Sequence, residues 1–400
     1  MNYNEAMEKL KKYGQEHVLK YYAELPDEQR NTLIEQIDRT DFTVIGQAAE
    51  MGKRGAIAPI KAMTIPEIDM GRERFERIGM EAVKAGKLAG GMGTRLGSDA
   101  PKGMYDIGIS KPVYIFQRLI ENLMKVVEKA GNYIQLFVMT SEKNHDATVG
   151  FFKEHDYFGY DKDYIAFFKQ DMAPAADFDG KVYMEAKDSI ATSPNGNGGW
   201  FLSMKKSGLL ELVEKRGIEW LNVFAVDNVL QSIADPVFAG AVLEGGYSVG
   251  SKVIRKVNPQ EKVGVMCTED GRPSIVEYIE LTEDMLTQRD ENGEYAYNFG
   301  VILNYLFKVD KLVNLLERKL PYHKSAKKIP YINEAGELVK PEEPNGYKYE
   351  QFILDMIQML DSCLPFEVVR GKEFAPIKNK TGVDSVESAR ELLRKNGIEL

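Results

Sequence analysis

Residues 88–97 read LAGGMGTRLG, and PKG follows at residues 101–103. Four glycines within eight residues allow the backbone N–H groups of a loop to come close to phosphate oxygens. Arg95 and Lys102 supply the positive charge that phosphate binding needs. The stretch therefore predicts a loop that binds the phosphates of a nucleotide. A plain glycine-rich turn is the alternative that the residues alone leave open.

Two common phosphate-binding motifs do not fit this stretch. A dinucleotide fingerprint starting at Gly91 needs a glycine at position 96, which is Leu96. A P-loop needs a Gly-Lys-Ser or Gly-Lys-Thr triplet, which the stretch does not contain. The sequence therefore predicts a nucleotide-binding loop of another kind, and a dehydrogenase is disfavoured.

Length and composition limit the class of protein. The chain has 400 residues, 44% of them hydrophobic, which is enough for two or three units with a large core. A formal net charge of -9 argues against nucleic acid or an anionic membrane surface as the main partner. Cys267 and Cys363 are too few and too far apart in sequence for a disulfide framework or a zinc site. With no apolar leader segment in the sequence, we expect a cytoplasmic protein.

The pattern of apolar residues divides the chain into three parts. Residues 1–84 show helical spacing and predict an N-terminal helical domain. Over residues 85–380, predicted strands alternate with helices, which is typical of a mainly parallel sheet covered by helices. Residues 381–400 predict a C-terminal helical tail. We therefore expect an α/β fold with three layers behind a helical N-terminal domain.

An aspartate follows a predicted strand in the middle of the chain. The strand covers residues 220–226, and Asp227 comes directly after it. In open α/β sheets, ligands bind beyond the carboxyl ends of the strands. Mg²⁺ is commonly held by one or two carboxylates together with substrate phosphates, so Asp227 is a candidate metal ligand. An Asx turn or a helix cap is the alternative role for this residue.

Taken together, these motifs resemble those of a known enzyme family. LAGGMGTRLG with PKG downstream is similar to the signature of the eukaryotic-type UDP-sugar pyrophosphorylases, most closely the UDP-N-acetylhexosamine pyrophosphorylase branch. The resemblance implies a Rossmann-like, GT-A-like nucleotidyltransferase core. It also implies UTP and a sugar 1-phosphate as substrates and Mg²⁺ as cofactor. N-acetylglucosamine 1-phosphate is favoured by the resemblance, whereas glucose or galactose 1-phosphate, a non-catalytic nucleotide-sugar-binding protein and the oligomeric state stay open.

The resemblance further implies roles for individual residues. The residues that it places at UTP are Leu88, Ala89, Gly90, Gly91, Gly93, Gln170 and Gly196, with Gln170 pairing with the uracil. The catalytic cations are Arg95, Lys102 and Lys378, and the metal ligand is Asp227. The residues that it places at the sugar are Asn197, Glu277, Tyr278 and Asn298. By residue type alone, Asn197 fits an ordinary turn, Glu277 a solvated strand residue and Asn298 a helix cap.

The segment before the glycines departs from the family pattern. A buried parallel strand needs a nearly continuous apolar run, but residues 82–88 read AVKAGKL. Two lysines and a glycine occupy the place of the strand, as if several residues had been deleted between Gly86 and Leu88. A strand missing from the middle of a sheet would expose two edges. We therefore expect that the preceding segment is drawn into the sheet, or that the protein is destabilised and inactive.

Overall fold

The computed structural model describes residues 1–48, 54–93 and 101–400, so the prediction for Arg95 lies outside the described residues. The α-helices of this part are α1 (Tyr3–Lys12), α2 (Asp27–Arg39), α3 (Thr43–Gln47), α4 (Ile65–Lys84), α5 (Ile115–Ala130), α6 (His145–Glu154), α7 (Trp200–Lys206), α8 (Leu209–Lys215), α9 (Pro236–Glu244), α10 (Glu283–Thr287), α11 (Val309–Arg318), α12 (Ile353–Met359), α13 (Arg370–Glu373) and α14 (Val386–Lys395). The strands are β1 (Ile57–Pro59), β2 (Leu88–Gly93), β3 (Gln135–Thr140), β4 (Ile165–Lys169), β5 (Met172–Pro174), β6 (Ala176–Asp177), β7 (Met184–Ala186), β8 (Ser189–Ile190), β9 (Thr192–Pro194), β10 (Trp220–Ala225), β11 (Val249–Arg255), β12 (Val265–Glu269), β13 (Arg272–Val276), β14 (Phe299–Lys308), β15 (His323–Lys327), β16 (Tyr331–Ile332), β17 (Leu338–Val339), β18 (Gly346–Glu350) and β19 (Cys363–Glu367).

The chain forms two compact units, and each combines separate stretches of sequence. The first unit comprises the described residues of Met1–Lys53, Gln170–Leu202 and Lys319–Asp355. The second comprises the described residues of Arg54–Lys169, Ser203–Arg318 and Met356–Leu400. The domain boundaries predicted after residues 84 and 380 stay predictions.

A mixed sheet forms the centre of the second unit. Its strand order is β1-β12-β14-β10-β2-β3-β4, with β11 and β19 joined through β14, and β13 joined through β12. Strands β10, β2, β3 and β4 run parallel, whereas β14 runs antiparallel to β10. Strands β12 and β13 form a hairpin, whose turn places Asp270 and Gly271 at positive φ.

The glycine-rich stretch itself forms a central strand. Leu88–Gly93 is β2, which lies between β10 and β3 and pairs in parallel with both. The loop conformation expected for these six residues is therefore wrong. The expectation that the preceding segment is drawn into the sheet is also wrong, because that segment ends α4 and β2 itself fills the place between β10 and β3. Neighbours on both sides satisfy the backbone N–H and C=O groups of β2. This pairing offsets the cost of each glycine in a strand, which is about 0.5–1 kcal/mol.

One face of the sheet packs on an apolar core. Leu88 and Met92 of β2 are buried there beside Trp220 and Phe224 of β10. Helix α5 contributes a buried stripe to this core, which consists of Phe116, Leu119, Ile120, Leu123, Val126 and Val127, with Val113 just before the helix. The helix ends at Gly131, which has φ +66°. The core therefore fixes the register of the central strands from one side.

The first unit has its own core. Helices α1 and α2 bury Leu10, Leu33 and Ile37 against Val182 and Ile190. Strands β15, β18 and β6 form a small sheet in this unit. Helix α12 begins at Ile353, shortly after the end of β18 at Glu350.

A search for membrane spans gives one further finding. Among the helices that the structure describes, none is both long enough and apolar enough to cross a membrane.

Candidate active site

The carboxyl ends of the central strands lie side by side. Gly93 at the end of β2 pairs with Ala225 of β10 on one side and with Met139 of β3 on the other. The chain leaves β10 through Val226 and turns at Asp227. Such an edge of a parallel sheet is where α/β proteins bind ligands. The predicted position of Asp227 at a strand end is therefore confirmed.

Lys102 and Asp227 face each other at this edge. The Nζ atom of Lys102 is 3.7 Å from Oδ2 of Asp227. Both side chains are about one quarter exposed, at 25% and 23%. Lys102 begins a short 3-10 turn, Lys102–Met104. This exposure leaves both groups accessible to a ligand, so the structure brings together one predicted cation and the predicted metal ligand.

Lys378 belongs to a segment that is hydrogen-bonded to the Asp227 turn. The backbone N–H of Ile377 donates to the carbonyl of Asp227 at 2.9 Å. The side-chain oxygen of Asn228 accepts from the backbone N–H of Ala375 at 2.9 Å. These bonds hold the backbone just before Lys378 against the turn that follows β10. A second predicted cation is thereby held beside the predicted metal ligand.

Asp384 is a carboxylate at this edge that the sequence did not identify. Its Oδ2 is 3.9 Å from Nζ of Lys378, and its carbonyl accepts from the backbone N–H of Lys378 at 2.7 Å. Burial raises the pKa of Asp384, the charge of Lys378 lowers it, and the charge of Asp227 raises it again. The signal that could have revealed Asp384 is its place directly before Ser385, the N-cap of α14. Two cations and two carboxylates therefore share this edge.

The glycine predictions fall on β2. Gly90, Gly91 and Gly93 lie in register with residues of β10 and β3, so their backbone groups take part in sheet pairing. A Cβ built on Gly91 meets no described atom within 4 Å, whereas one on Gly90 lies 3.3 Å from Cδ1 of Leu136. Leu88 and Ala89 are buried in the same strand. The roles of these five residues in UTP binding stay predictions.

The sugar-site predictions of the second unit follow β13 and precede β14. Glu277 is half-buried; burial raises its pKa, the charge of Glu280 raises it further, and the charge of Lys378 lowers it. Tyr278 is exposed, and Asn298 is buried with its side-chain oxygen accepting a backbone N–H. An exposed aromatic ring and a carboxylate suit a sugar, and these roles stay predictions.

Three further predicted residues belong to the first unit, where they form one cluster. Nε2 of Gln170 donates to the carbonyl of Gly196 at 2.7 Å. Gly196 has φ +87°, and a Cβ there would overlap the backbone of Gln351. The side-chain oxygen of Asn197 accepts from the backbone N–H of Ile353 at 3.0 Å. The structure thus brings these residues together within that unit, and their roles toward uracil and sugar stay predictions.

The donor set at the strand end suits Mg²⁺. Within the ranges that the structure describes, no group of three or more His, Cys, Asp or Glu side chains is placed to hold a metal ion. Mg²⁺ typically binds through one or two carboxylates together with water and substrate phosphates, and does not need a protein cage. Asp227 offers an accessible carboxylate of this kind. The residues present therefore fit an ion that is bound jointly with a phosphate.

Comparisons with known proteins agree on one family. The family model described as UTP–glucose-1-phosphate uridylyltransferase (UDPGP) matches residues 54–397. The chain is 36% identical to UDP-N-acetylhexosamine pyrophosphorylase-like protein 1 of Mus musculus, over 94% of this chain and 80% of that protein. It is 37% identical to UDP-N-acetylglucosamine diphosphorylase 2 of Arabidopsis thaliana, over 97% and 82% of the two chains. The crystal structure of the Trypanosoma brucei uridine diphosphate N-acetylglucosamine pyrophosphorylase with an inhibitor matches with a TM-score of 0.84 and 28% identity, over 98% of this chain and 84% of that chain, which confirms the predicted fold class.

Proposed function

The chain belongs to the UDPGP family of UDP-sugar pyrophosphorylases, which are nucleotidyltransferases, and we propose that it transfers uridylyl from UTP to N-acetylglucosamine 1-phosphate and releases pyrophosphate. The observation that carries the proposal is the ion pair of Lys102 and Asp227 at the carboxyl edge of the sheet. The segment that carries Lys378 is hydrogen-bonded to the same turn. The choice of sugar is supported by the names of the relatives, which specify N-acetylhexosamine or N-acetylglucosamine.

The proposed reaction needs cations more than a general base. A phosphate oxygen of the sugar 1-phosphate attacks the α-phosphorus of UTP, and the bond to the pyrophosphate oxygen breaks. Because the attacking oxygen is already anionic, no proton has to be removed from it. The protein must hold two anions in line and stabilise the charge that develops between them. Lys102 and Lys378 provide two positive charges for this purpose.

Asp227 has the chemistry to hold Mg²⁺ at the same place. A Mg²⁺ ion held there would supply positive charge that offsets part of the negative charge of the substrate phosphates. Asp227 supplies an anionic oxygen, and Asp384 orients Lys378 through their 3.9 Å ion pair. We assign the remaining predicted residues as the sequence suggests: Leu88, Ala89, Gly90, Gly91, Gly93, Arg95, Gln170 and Gly196 to UTP, and Asn197, Glu277, Tyr278 and Asn298 to the sugar.

One observation favours a second candidate, a non-catalytic nucleotide-sugar-binding protein. The glycines of β2 use their backbone groups in sheet pairing, whereas the first proposal requires phosphate contacts from the same stretch. A binding protein would need fewer such contacts, because it stabilises no developing charge. Binding of a UDP-sugar without turnover is the outcome that would select this alternative.

The test is pyrophosphate release by the purified protein with UTP and Mg²⁺. N-acetylglucosamine, glucose and galactose 1-phosphates are assayed in parallel, and chelation of Mg²⁺ serves as the control. We expect the fastest turnover with N-acetylglucosamine 1-phosphate and none after chelation. Faster turnover with another sugar would correct the substrate and keep the reaction. A folded protein that releases no pyrophosphate with any of the three would overturn the enzymatic proposal.

A further inference from the structure

A fully buried lysine lies near the start of the segment that carries Lys378. Lys252 lies on β11, and its side chain is 0% exposed. Its Nζ is 2.9 Å from Oδ2 of Asp235 and 3.1 Å from both carboxylate oxygens of Glu373, and it donates to the carbonyl of Ser232 at 3.2 Å. A buried charge that loses its partners costs several kcal/mol, so the three ionic groups constrain one another strongly.

Glu373 connects this cluster to the Asp227 turn. One carboxylate oxygen of Glu373 accepts from the backbone N–H of Ser232 at 2.8 Å, and its carbonyl accepts from the side-chain amide of Asn228 at 2.7 Å. Residues 373–378 then run along the turn through the bonds described above. Hydrogen bonds of Glu373, together with the backbone of residues 373–377, therefore connect Lys252 to the carbonyl of Asp227.

Asp235 fixes the other end of the same turn. Its Oδ1 accepts from the backbone N–H of Val237 at 3.0 Å and caps α9, which leaves Oδ2 for Lys252. The preceding residue, Ala234, has φ +51°, and its N–H donates to the side chain of Asn222 on β10 at 2.7 Å. The connection from the end of β10 to α9 is thus held at both ends.

The charges of the cluster agree with this geometry. Burial alone would lower the pKa of Lys252, but the negative charges of Asp235 and Glu373 raise it above its ordinary value. Burial raises the pKa of Glu373, and the charge of Lys252 lowers it. One cation is therefore shared by two carboxylates that would otherwise repel each other inside the protein.

We propose that Lys252 is a positioning residue for the proposed reaction: through Glu373 and Asp235 it holds Asp227 and Lys378 in place at the sheet edge. The catalytic consequence rests on the proposed function. Because Nζ of Lys252 is enclosed by protein, it acts through these carboxylates and not on the substrate. Loss of Lys252 leaves two largely enclosed carboxylates to repel each other, which displaces residues 373–378 from the turn.

The test uses four variants of the full chain. Lys252→Met removes the cation and keeps the length of the side chain, and Lys252→Arg keeps the charge. Glu373→Gln keeps an oxygen that can accept from Ser232, and it is the second variant if Lys252→Met does not fold. The matched control is Arg255→Met on the same strand, which removes the cation 2.8 Å from the buried carboxylate of Glu367.

Two measurements separate positioning from a structural role. Hydrogen exchange of residues 373–378 is compared with that of β10, and kcat is measured at saturating UTP and Mg²⁺, at a temperature where every variant is folded. We expect Lys252→Met to accelerate exchange selectively in residues 373–378 and to lower kcat about 10-fold to 100-fold. Lys252→Arg should recover part of kcat. Arg255→Met should change neither the exchange of residues 373–378 nor kcat.

Two results would overturn the inference, and a third would overturn the proposed function on which its catalytic part rests. Unchanged exchange in residues 373–378 would show that Lys252 does not anchor them. Faster exchange with the kcat of the unmodified protein would leave Lys252 a structural role only. An unmodified protein without turnover would overturn the proposed function, and with it the catalytic consequence, whereas the exchange data would still decide the anchoring.

Discussion

Strands β2 and β10 are neighbours that end at the same edge of the sheet, yet they are built from different kinds of residue. Strand β10 buries the large side chains of Trp220 and Phe224 and leads into Asp227. Strand β2 contains three glycines among its six residues. The first keeps its place through side-chain packing, and the second depends more on backbone pairing with two neighbours. A central strand therefore tolerates a poor composition when both of its sides are paired.

The largest effect on stability should come from truncating β10. Phe224 is 2% exposed in the core, so we expect Phe224→Ala to lower the free energy of unfolding by about 3–5 kcal/mol. Urea unfolding measures the change. Val223→Ala, at a half-buried position of the same strand, is the control and should cost about 1 kcal/mol. Equal costs for the two variants would contradict the claim that packing on the core face holds β10.

The next effect concerns Asp227, the carboxylate that follows β10 at the edge of the sheet. Asp227→Asn keeps the size of the side chain and removes its charge, so we expect turnover to fall about 100-fold or more, as for a lost metal ligand. Unfolding free energy should change by less than about 1 kcal/mol, because the side chain is partly exposed. Asp310→Asn, at an exposed carboxylate just after β14, is the matched control. Full activity of Asp227→Asn would exclude this residue as the metal ligand.

The success of the sequence predictions differs between these strands for a physical reason. Strand β10 has an apolar run that ends at a polar turn, and this local pattern suffices to predict a buried strand and its end. Strand β2 shows no such pattern, because three of its six residues are glycines, which add no apolar side chain to a periodic pattern. The glycines favoured a loop, and it is the pairing with β10 on one side and β3 on the other that makes them a strand. Pairing between distant segments is the information that a local pattern lacks.

The same distinction holds at the site. Lys102, Asp227 and Lys378 were predicted because each lies in a motif with a recognisable sequence. Glu373 binds Lys252 across 121 residues of chain, and no motif marks this partnership. The groups that touch ligand in the proposal were therefore predictable, whereas Lys252, which positions them in our inference, required the fold.

A substitution within β2 sharpens the comparison further. Gly91 does not need positive φ, and no described atom lies within 4 Å of an added Cβ, so we expect Gly91→Ala to stabilise the protein by about 0.5–1 kcal/mol. If its backbone also approaches a phosphate, as the sequence predicts, turnover falls in the same variant. Thermal unfolding and pyrophosphate release measure the two effects.

The control for this substitution lies one residue away on the other face of β2. Gly90→Ala brings its methyl group 3.3 Å from Leu136 and 3.5 Å from Phe224, so it should gain less stability than Gly91→Ala. A loss of stability in Gly91→Ala would contradict the strand register of β2. Greater stability with unchanged turnover would remove Gly91 from the predicted UTP site.

The smallest effect concerns Glu277, which follows β13 as Asp227 follows β10. Burial and the charge of Glu280 raise the pKa of Glu277, so protonation of this carboxyl is easier in the folded protein than in the unfolded chain. A carboxyl group with a raised pKa costs no stability below its unfolded pKa of about 4.3, and its cost is complete above the folded pKa. Glu277→Gln should therefore match the unmodified protein near pH 4 and exceed its unfolding free energy at pH 7, by less than about 1 kcal/mol.

Glu280→Gln is the control for this pH profile. Glu280 binds Arg54 at 3.0 Å and accepts from the backbone N–H of Glu277 at 2.9 Å, so its neutralisation should lower stability at pH 7. Opposite signs for the two variants would show that only one of the two carboxylates is stabilised by its surroundings. If Glu277 binds the sugar, Glu277→Gln also raises the KM for the sugar 1-phosphate and leaves that for UTP unchanged. A stability gain without a change in KM would instead remove Glu277 from the predicted sugar site and leave it a half-buried carboxylate whose charge only lowers stability.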